Sequence, residues 1–389
     1  MDIAIIGGGI NGASMAYFFA KVGGEDTNVR LYEAGNIAGK RGTTAYSAGI
    51  LRHYYSTKRH VAIAKRGIEL IYDLESRPGR DCGVHSNGHL RLVGASDERQ
   101  LRHVFELERS AGVDAELVRP SKLSEFVPGI DPDGVSLGLL DHDGGFADPY
   151  LVTTALIEAA RSRGVEVYTE TPVIDLHREG NRITVLETQE TSHQVDYVVN
   201  AAGSGGADIG EMVGLDLPLS SHESKVVVLG GVPYESEYPT ISDHAVRPDM
   251  YVKPEPSGAF IVGGIDRPPI DEATGPEGVD NQHLRKVTDQ IEKRLPEYAD
   301  AEVRETWSGV ITMTPDEHQI VGAAKTVPNL YHLVGGNGHG FKEALGFAES
   351  AVQEILGENP RFDLSPYRPD RFDSGELIPS AEEKTHGYS

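Results

Sequence analysis

Met1-Asp2-Ile3-Ala4-Ile5-Ile6 runs without a break into Gly7-Gly8-Gly9-Ile10-Asn11-Gly12 and then into Ala13-Ser14-Met15-Ala16-Tyr17-Phe18-Phe19-Ala20. That order reads as a buried parallel strand, a glycine-rich turn and a helix. Glycines at 7, 9 and 12 suit a tight turn, close backbone approach to a pyrophosphate, and close helix-on-strand packing. The phosphates would sit at the helix N-terminus, where free N–H groups and the dipole favour negative charge. A second strand, Asn28-Val29-Arg30-Leu31-Tyr32, ends at Glu33, 21 residues past Gly12. An acidic side chain at about 20 residues' distance suits a ribose hydroxyl pair. The combination predicts dinucleotide binding; a phosphate-free Rossmann-like turn is the plain alternative.

A chain of 389 residues can bury a large core and is expected to divide into two domains. No apolar run approaches the roughly 20 residues that span a bilayer, and a core strand at the start leaves no room for a signal peptide. The expected location is the cytoplasm. Cys82 is the only cysteine, which excludes intramolecular disulfides and cysteine-based metal clusters, and no metal site is expected. Its plain reading is a small buried hydrophobe. The net charge of −24 opposes nucleic acid and anionic membranes. Acidic residues are spread along the chain and arginine outnumbers lysine. We expect a surface adapted to high salt, where screening relieves self-repulsion; such a protein gains melting temperature in molar salt.

The loop Gly35 to Ser47 is polar and glycine-bearing and suits a ligand wrap. A helix is expected from Lys58 to Leu74. From Cys82 the pattern changes: strand Gly88 to Val93, a charged helix Asp97 to Ala111, and a short helix Ser121 to Val127 look like an inserted region with a half-buried surface. A helix Pro149 to Arg161 and strands near 165–168, 173–176, 182–185 and 195–199 follow, the last ending in Asn200-Ala201-Ala202-Gly203. Gly203-Ser204-Gly205 has Asp208 where a third glycine would stand, so only one dinucleotide site is expected. Residues 224–304 read as a second unit, with strands at 225–229, 250–253 and 259–263 in hairpin-like spacing and a helix from Asp280 to Leu295. The strand Tyr331 to Val334 enters Gly335-Gly336-Asn337-Gly338-His339-Gly340 and a helix from Phe341 to Leu356, whose N-terminus can stabilise negative charge. The tail past Tyr367 is expected to be irregular and dispensable.

These pieces together resemble the D-amino-acid oxidase and sarcosine oxidase family of FAD-dependent oxidoreductases, and most closely its sarcosine-oxidase-like branch. The carrying residues are Gly7-x-Gly9-x-x-Gly12 with Glu33, the loop Ser47-Ala48-Gly49-Ile50-Leu51-Arg52-His53, Asn200-Ala201-Ala202-Gly203, Thr314-Pro315-Asp316, and Gly338-His339-Gly340-Phe341-Lys342. The resemblance implies an α/β fold with a Rossmann-like FAD-binding domain (1–82, 142–220 and 305–366), an α+β substrate domain with an antiparallel sheet (83–141 and 221–304), and a tail at 367–389. FAD would lie over the first turn at Gly7, Gly9, Ile10, Asn11 and Gly12, with its ribose on Glu33 beside Ala34. Thr44, Ser47, Ala48 and Gly49 would wrap it, Val173 would meet the adenine, Ala201, Ala202 and Gly203 would approach closely, Gly309, Gly338 and His339 would contact the cofactor, and Gly340, Phe341 and Lys342 would meet the isoalloxazine.

In this branch an arginine and a lysine hold the substrate carboxylate, and Arg52 and Lys342 fall on those positions. A fork-shaped guanidinium with an ammonium as second anchor suits a carboxylate; their plain reading is a pair of surface cations. Tyr251 matches a tyrosine that flanks the substrate, and His53 and His339 are weaker candidates. Several relatives attach flavin to a cysteine where Gly309 stands here, so FAD is expected to be non-covalent. The oxygen-activating lysine of the oxidases aligns with Ile261, and without a cation beside the ring a dehydrogenase is expected rather than an oxidase. The implied reaction is oxidation of the C–N bond of a small amino or N-methylamino acid, with an unnamed electron acceptor. The alternatives are a 2-hydroxy acid dehydrogenase of the same superfamily, an FAD-binding subunit of a larger dehydrogenase complex, or, with NAD as cofactor, a simple NAD fold in which the loop at Ser47 and the closing turn have no role. A tRNA-modifying flavoprotein is opposed by the charge.

Overall fold

The computed structural model describes residues 1–24, 26–39, 42–77, 81–270 and 278–380. Its first large sheet has six strands in the order Ile320–Ala323, Leu330–Val334, Tyr197–Asn200, Asp2–Ile6, Asn28–Tyr32 and Glu166–Tyr168. All neighbours run parallel except Ile320–Ala323. The central strand alternates between two cores, as a parallel strand covered on both faces must. Ile3 and Ile5 pack under the helices; Ala4 and Ile6 pack with Leu176, Ile183 and Leu186 of a three-stranded antiparallel sheet.

Helix Ile10–Val22 packs between Pro149–Arg161 and Gly340–Ile355, and Lys58–Glu75 lies along Gly340–Ile355. Local chemistry sets the starts. Asp148 accepts from the N–H groups of Tyr150 (2.8 Å) and Leu151 (3.0 Å), with Pro149 at the first helical position. Thr57 accepts from His60 N–H (3.2 Å). Two glycines bring the last pair of helices together: a Cβ on Gly67 would strike the Lys342 carbonyl, and one on Gly346 the Ile63 carbonyl.

The second sheet has eight strands, in the order Glu302–Met313, Ser220–Gly230, Phe260–Gly263, Met250–Pro254, Thr240–His244, His89–Val93, Leu137–Asp141 and Ala115–Val118. Only Thr240–His244 with His89–Val93 is parallel. One face carries Leu90, Leu92, Ile241, Val252 and Val262 into a core with Val287 and Ile291 of helix Asn281–Arg294.

Several expectations are corrected. Strand His89–Val93 is buried along its whole length, because it is interior to the sheet. Pro120–Glu125 is a 3₁₀ turn in place of a helix to Val127. Strands 115–118, 137–141, 192–194, 240–244, 302–313 and 320–323 carry no signal that distinguished them beforehand. The expected irregular tail contains a helix, Arg371–Ser374, whose buried Arg371 bonds both oxygens of Asp316 (Nε to Oδ2 2.8 Å, Nη2 to Oδ1 2.9 Å). Ile378 is also buried and its N–H donates to Asp316. Residues 381–389 of the expected tail lie outside the described residues. Cys82 is buried, as expected. No helix among the described residues is long and apolar enough to cross a membrane.

Candidate active site

A cavity of about 800 Å³ is lined by residues of both sheets, by the first glycine turn and by the start of the closing helix. That size is in the range of cofactor and substrate sites. At the first turn, Gly7 adopts φ 109°, and a Cβ on it would strike the Ala201 carbonyl. Gly9 faces the Thr44 hydroxyl, which accepts from Ile10 N–H (3.1 Å). Glu33 uses both carboxylate oxygens to fix the turn, accepting from Gly8 N–H (2.6 Å) and Gly35 N–H (2.8 Å). Asn11 donates to the Leu333 carbonyl (2.9 Å) and to Gln319 (3.1 Å), joining the first turn to the closing strand.

The closing turn has positive φ at Gly335, Asn337 and Gly338. The Asn337 side-chain oxygen Oδ1 accepts from Thr314 N–H (2.8 Å) and from the Thr314 hydroxyl (3.2 Å), which also lies 2.8 Å from the His318 backbone carbonyl. The Thr-Pro-Asp stretch is thus a bracket. It anchors the closing turn through Thr314 and the tail through Asp316. The turn then delivers His339 and Lys342 to the cavity wall.

Lys342 is buried, and its one hydrogen bond among the described residues reaches the His339 carbonyl at 3.3 Å. Burial, reinforced by the Arg52 charge, pushes its ammonium well below the ordinary value. Arg52 lines the same wall; it donates to the Tyr54 carbonyl (2.7 Å) and lies 5.3 Å from the centre of the Tyr55 ring. Tyr251 also lines the cavity, and a Cβ on Gly263 opposite would strike its hydroxyl. Burial, opposed by Arg267, pushes the Tyr251 phenol up to about 12. His339 Nδ1 lies 2.5 Å from Glu343, whose other oxygen accepts from Gln319 (2.9 Å), while His60 Nε2 stands 3.2 Å away. Burial pushes His339 down to about 4, so its ring is neutral at pH 7. Two ligands on one tetrahedral ion at about 2.0–2.1 Å would sit over 3 Å apart. The closer His339–Glu343 contact is a hydrogen bond.

Of the expected cofactor contacts, Gly7, Gly9, Ile10, Asn11, Glu33, Thr44, Ser47, Ala48, Gly49, Ala201, Ala202, Gly203, Gly309 and Gly338 to Lys342 line the cavity. Gly12, Ala34 and Val173 do not. Gly12 sits against the Gly7 carbonyl, where a Cβ would collide, so its part is packing. Ala34 is exposed beyond the strand end. Val173 is engaged in the three-stranded sheet opposite Thr188. His53 is likewise off the cavity wall, 1% exposed, with Nδ1 and its N–H on Asp141 (2.8 and 3.1 Å). Gly309 lies under Tyr46, whose ring a side chain at 309 would strike.

One further cation that the sequence did not single out reaches the cavity wall. Ile261 is buried in the sheet, but Arg267 lines the cavity, with Nη1 3.6 Å from where a Cβ on Gly338 would stand. Arg91, Ser242, His244, Tyr46, Tyr54 and Tyr55 line it too and were not anticipated. Only Arg91 left a trace in the sequence, as a charge between Leu90 and Leu92.

The family model described as FAD dependent oxidoreductase matches residues 2–354. Dimethylglycine dehydrogenase of Rattus norvegicus is 28% identical over 95% of this chain, which spans only 45% of that longer protein. Sarcosine oxidase subunit beta of an Arthrobacter species is 27% identical, covering 97% of this chain and 92% of that one. The crystal structure of L-proline dehydrogenase from P. horikoshii superposes with a TM-score of 0.89 at 25% identity, over 97% of this chain and 99% of the other. The glycine cradle, the ribose-distance carboxylate and the continuous cavity all fit FAD. The chain belongs to the FAD-dependent oxidoreductase family of D-amino-acid and sarcosine oxidases.

Proposed function

We propose that the protein oxidises the C–N bond of a small amino or N-methylamino acid, with FAD held non-covalently. The observation that carries this reading is Lys342, a buried ammonium beside Arg52 at the cavity wall. A carboxylate bound between them would offset the burial and the Arg52 repulsion that disfavour the Lys342 ammonium, and it matches both groups. When bound, FAD supplies the two-electron chemistry as hydride acceptor.

The chain's own residues supply position and field. Arg52 and Lys342 hold the carboxylate, and Tyr251 bounds the substrate from the second sheet. Neutral His339 gives its Nδ1–H to Glu343, which leaves Nε2 to accept a hydrogen bond from the substrate nitrogen, whose proton passes to solvent. The N-terminus of helix Gly340–Ile355 stabilises negative charge in front of it. The substrate loses its α-hydrogen with the bonding pair and a proton from nitrogen, and water hydrolyses the resulting imine. Gly309 offers no side chain for a flavin bond, and Tyr46 occupies the space above it. With Ile261 where the oxidases carry a lysine, a dehydrogenase is expected rather than an oxidase, and slow reoxidation of the reduced protein in air tests it.

The test is the visible spectrum of the purified protein during anaerobic addition of amino, N-methylamino and 2-hydroxy acids. Bleaching by amines alone is expected. Bleaching by hydroxy acids alone assigns the alternative activity, and no bleaching by any acid identifies a binding subunit. Flavin that stays with the chain after denaturation refutes the non-covalent attachment.

A further inference from the structure

His339 can accept from the substrate nitrogen only while its Nε2 carries no proton, and a neutral imidazole can hold its proton on either nitrogen. The choice is made behind the cavity wall, by a run of side-chain amides that starts at a backbone carbonyl. The Leu333 carbonyl can only accept, so Asn11 must turn Nδ2 towards it (2.9 Å). The same nitrogen donates to Gln319 Oε1 (3.1 Å), which leaves Gln319 to offer Nε2 to Glu343 Oε2 (2.9 Å). Gln319 and Glu343 are both 0% exposed, so bulk water offers neither another partner. Glu343 Oε1 then faces His339 Nδ1 at 2.5 Å. Burial works against the Glu343 charge, but His339 and His60 beside it hold the carboxyl well below its ordinary value. An ionised carboxylate only accepts, so Nδ1 carries the proton and Nε2 is bare.

The rings are held as firmly as the amides. His60 Nε2 stands 3.2 Å from the same Glu343 oxygen. Tyr55 lies flat on the His60 ring, 4.1 Å between centres, and edge-on to His339 at 5.5 Å. Phe347 and Tyr367 meet the His60 ring edge-on at 5.8 and 5.6 Å. Asn11 belongs to the first helix, Gln319 precedes strand Ile320–Ala323, and Glu343 lies one turn past His339 in the closing helix.

Resting on the amine-oxidation reading above, we infer that Asn11, Gln319 and Glu343 are positioning residues whose hydrogen-bond order, set by the Leu333 carbonyl, decides which nitrogen of His339 meets the substrate. None of the three takes part in the bond changes.

Glu343→Gln keeps the shape of the chain and reverses its order. Gln319 still donates, so the new amide must offer it oxygen and turn its NH2 to His339, whose proton then moves to Nε2. Adding Gln319→Glu restores the order: the carboxylate at 319 accepts from Asn11 and from the amide at 343, whose oxygen again faces Nδ1. Nitrogen-15 spectra of histidine-labelled holoenzyme, with the His339 signals identified by their loss in His339→Asn, read the tautomer without substrate. At pH 7 the native protein is expected to show a bare Nε2 and a protonated Nδ1. Glu343→Gln is expected to exchange the two signals and to lower kcat/KM for the reactive amine about 10- to 100-fold. The double variant is expected to regain the native signals and a rate within about threefold of native. A merely structural role would leave the double variant no better than the single one, and that result overturns the inference. A protonated Nε2 in the native protein, or unchanged signals in Glu343→Gln, also overturns it. Should Glu343→Gln not fold, the native and double-variant spectra decide. Failure of every amine to reduce the flavin overturns the amine reading instead, and the nitrogen signals still test the chain.

Discussion

Gly7, Gly9 and Glu33 on one part of the cavity wall, and Arg52, Tyr251 and Lys342 on another, are held by different kinds of structure. The nucleotide end is a backbone object. Its strand, turn and helix lie within the first 22 residues, and its shape depends on atoms that are missing: a Cβ at Gly7 or Gly12 would collide with a carbonyl. The part of the wall that carries Arg52, Tyr251 and Lys342 is a side-chain object. Arg52 follows the short strand Ile50–Leu51, Tyr251 comes from the middle of the eight-stranded sheet, and Lys342 from the first turn of the closing helix. The first is built on one strand, turn and helix and is braced by Glu33, Thr44 and the Ala201 carbonyl. The second is exact only while three separate elements keep their register.

The difference gives the sharpest prediction for Gly12→Ala. The added methyl meets the Gly7 carbonyl, so we expect a colourless chain or none that folds, read by flavin absorbance after purification. A yellow, active variant would show that the nucleotide end is more plastic than its backbone suggests. Arg371→Met addresses the bracket that both ends share. Leaving Asp316 buried and unpaired should cost about 3–5 kcal/mol, measured as a fall in denaturant midpoint. A loss near zero would show that the tail is ornamental. Arg52→Met and Lys342→Met should separate the ends: FAD stays bound while kcat/KM falls about 100-fold or more, the cost of unpairing a bound carboxylate. Flavin loss in either variant would mean that the two ends are one unit.

The smallest effect is the pH dependence of stability. Burial holds His318 near 3 and His332 and His339 near 4, below the ordinary 6.5. Between about pH 6.5 and 4 the unfolded chain binds protons that the folded chain refuses, so stability falls on acidification through that window. The combined loss should reach at least about 2 kcal/mol. Below it, depressed carboxyls such as Asp316 extend the fall: burial raises its affinity for a proton, but Arg371 prevails. Melting temperature at pH 7.5 and 4.5 checks the sign, and an unchanged or higher value at 4.5 contradicts it. His318 and His339 both line the cavity and His332 is sealed in the six-stranded sheet, so this sensitivity belongs mainly to the substrate side.

Much of the architecture was legible from local rules. Asn28–Tyr32 and Pro149–Arg161 fall where the pattern placed them, the first through Val29 and Leu31 alternating with polar residues and the second through Asp148 and Pro149 at its start. The 12-residue strand Glu302–Met313 was not legible, because its outer residues are exposed and its stability comes from pairing along the whole of Ser220–Gly230. His53 illustrates the same limit within the site. It stands beside Arg52 in the chain, but a residue on the opposite side of the backbone turns inward, and Asp141, 88 positions away, claims it.

What the amino-acid order determined alone was the strand, glycine turn and helix at the start with Glu33 closing the next strand, and it singled out Arg52 and Lys342, because each follows from spacing along one stretch of backbone or from a family pattern in that stretch. Folding decided what surrounds the substrate: Arg91, Ser242 and Arg267 reach the cavity only through strand register and hairpin geometry. A polar side chain inside a strand faces either of two sides, and a shift of one residue exchanges them.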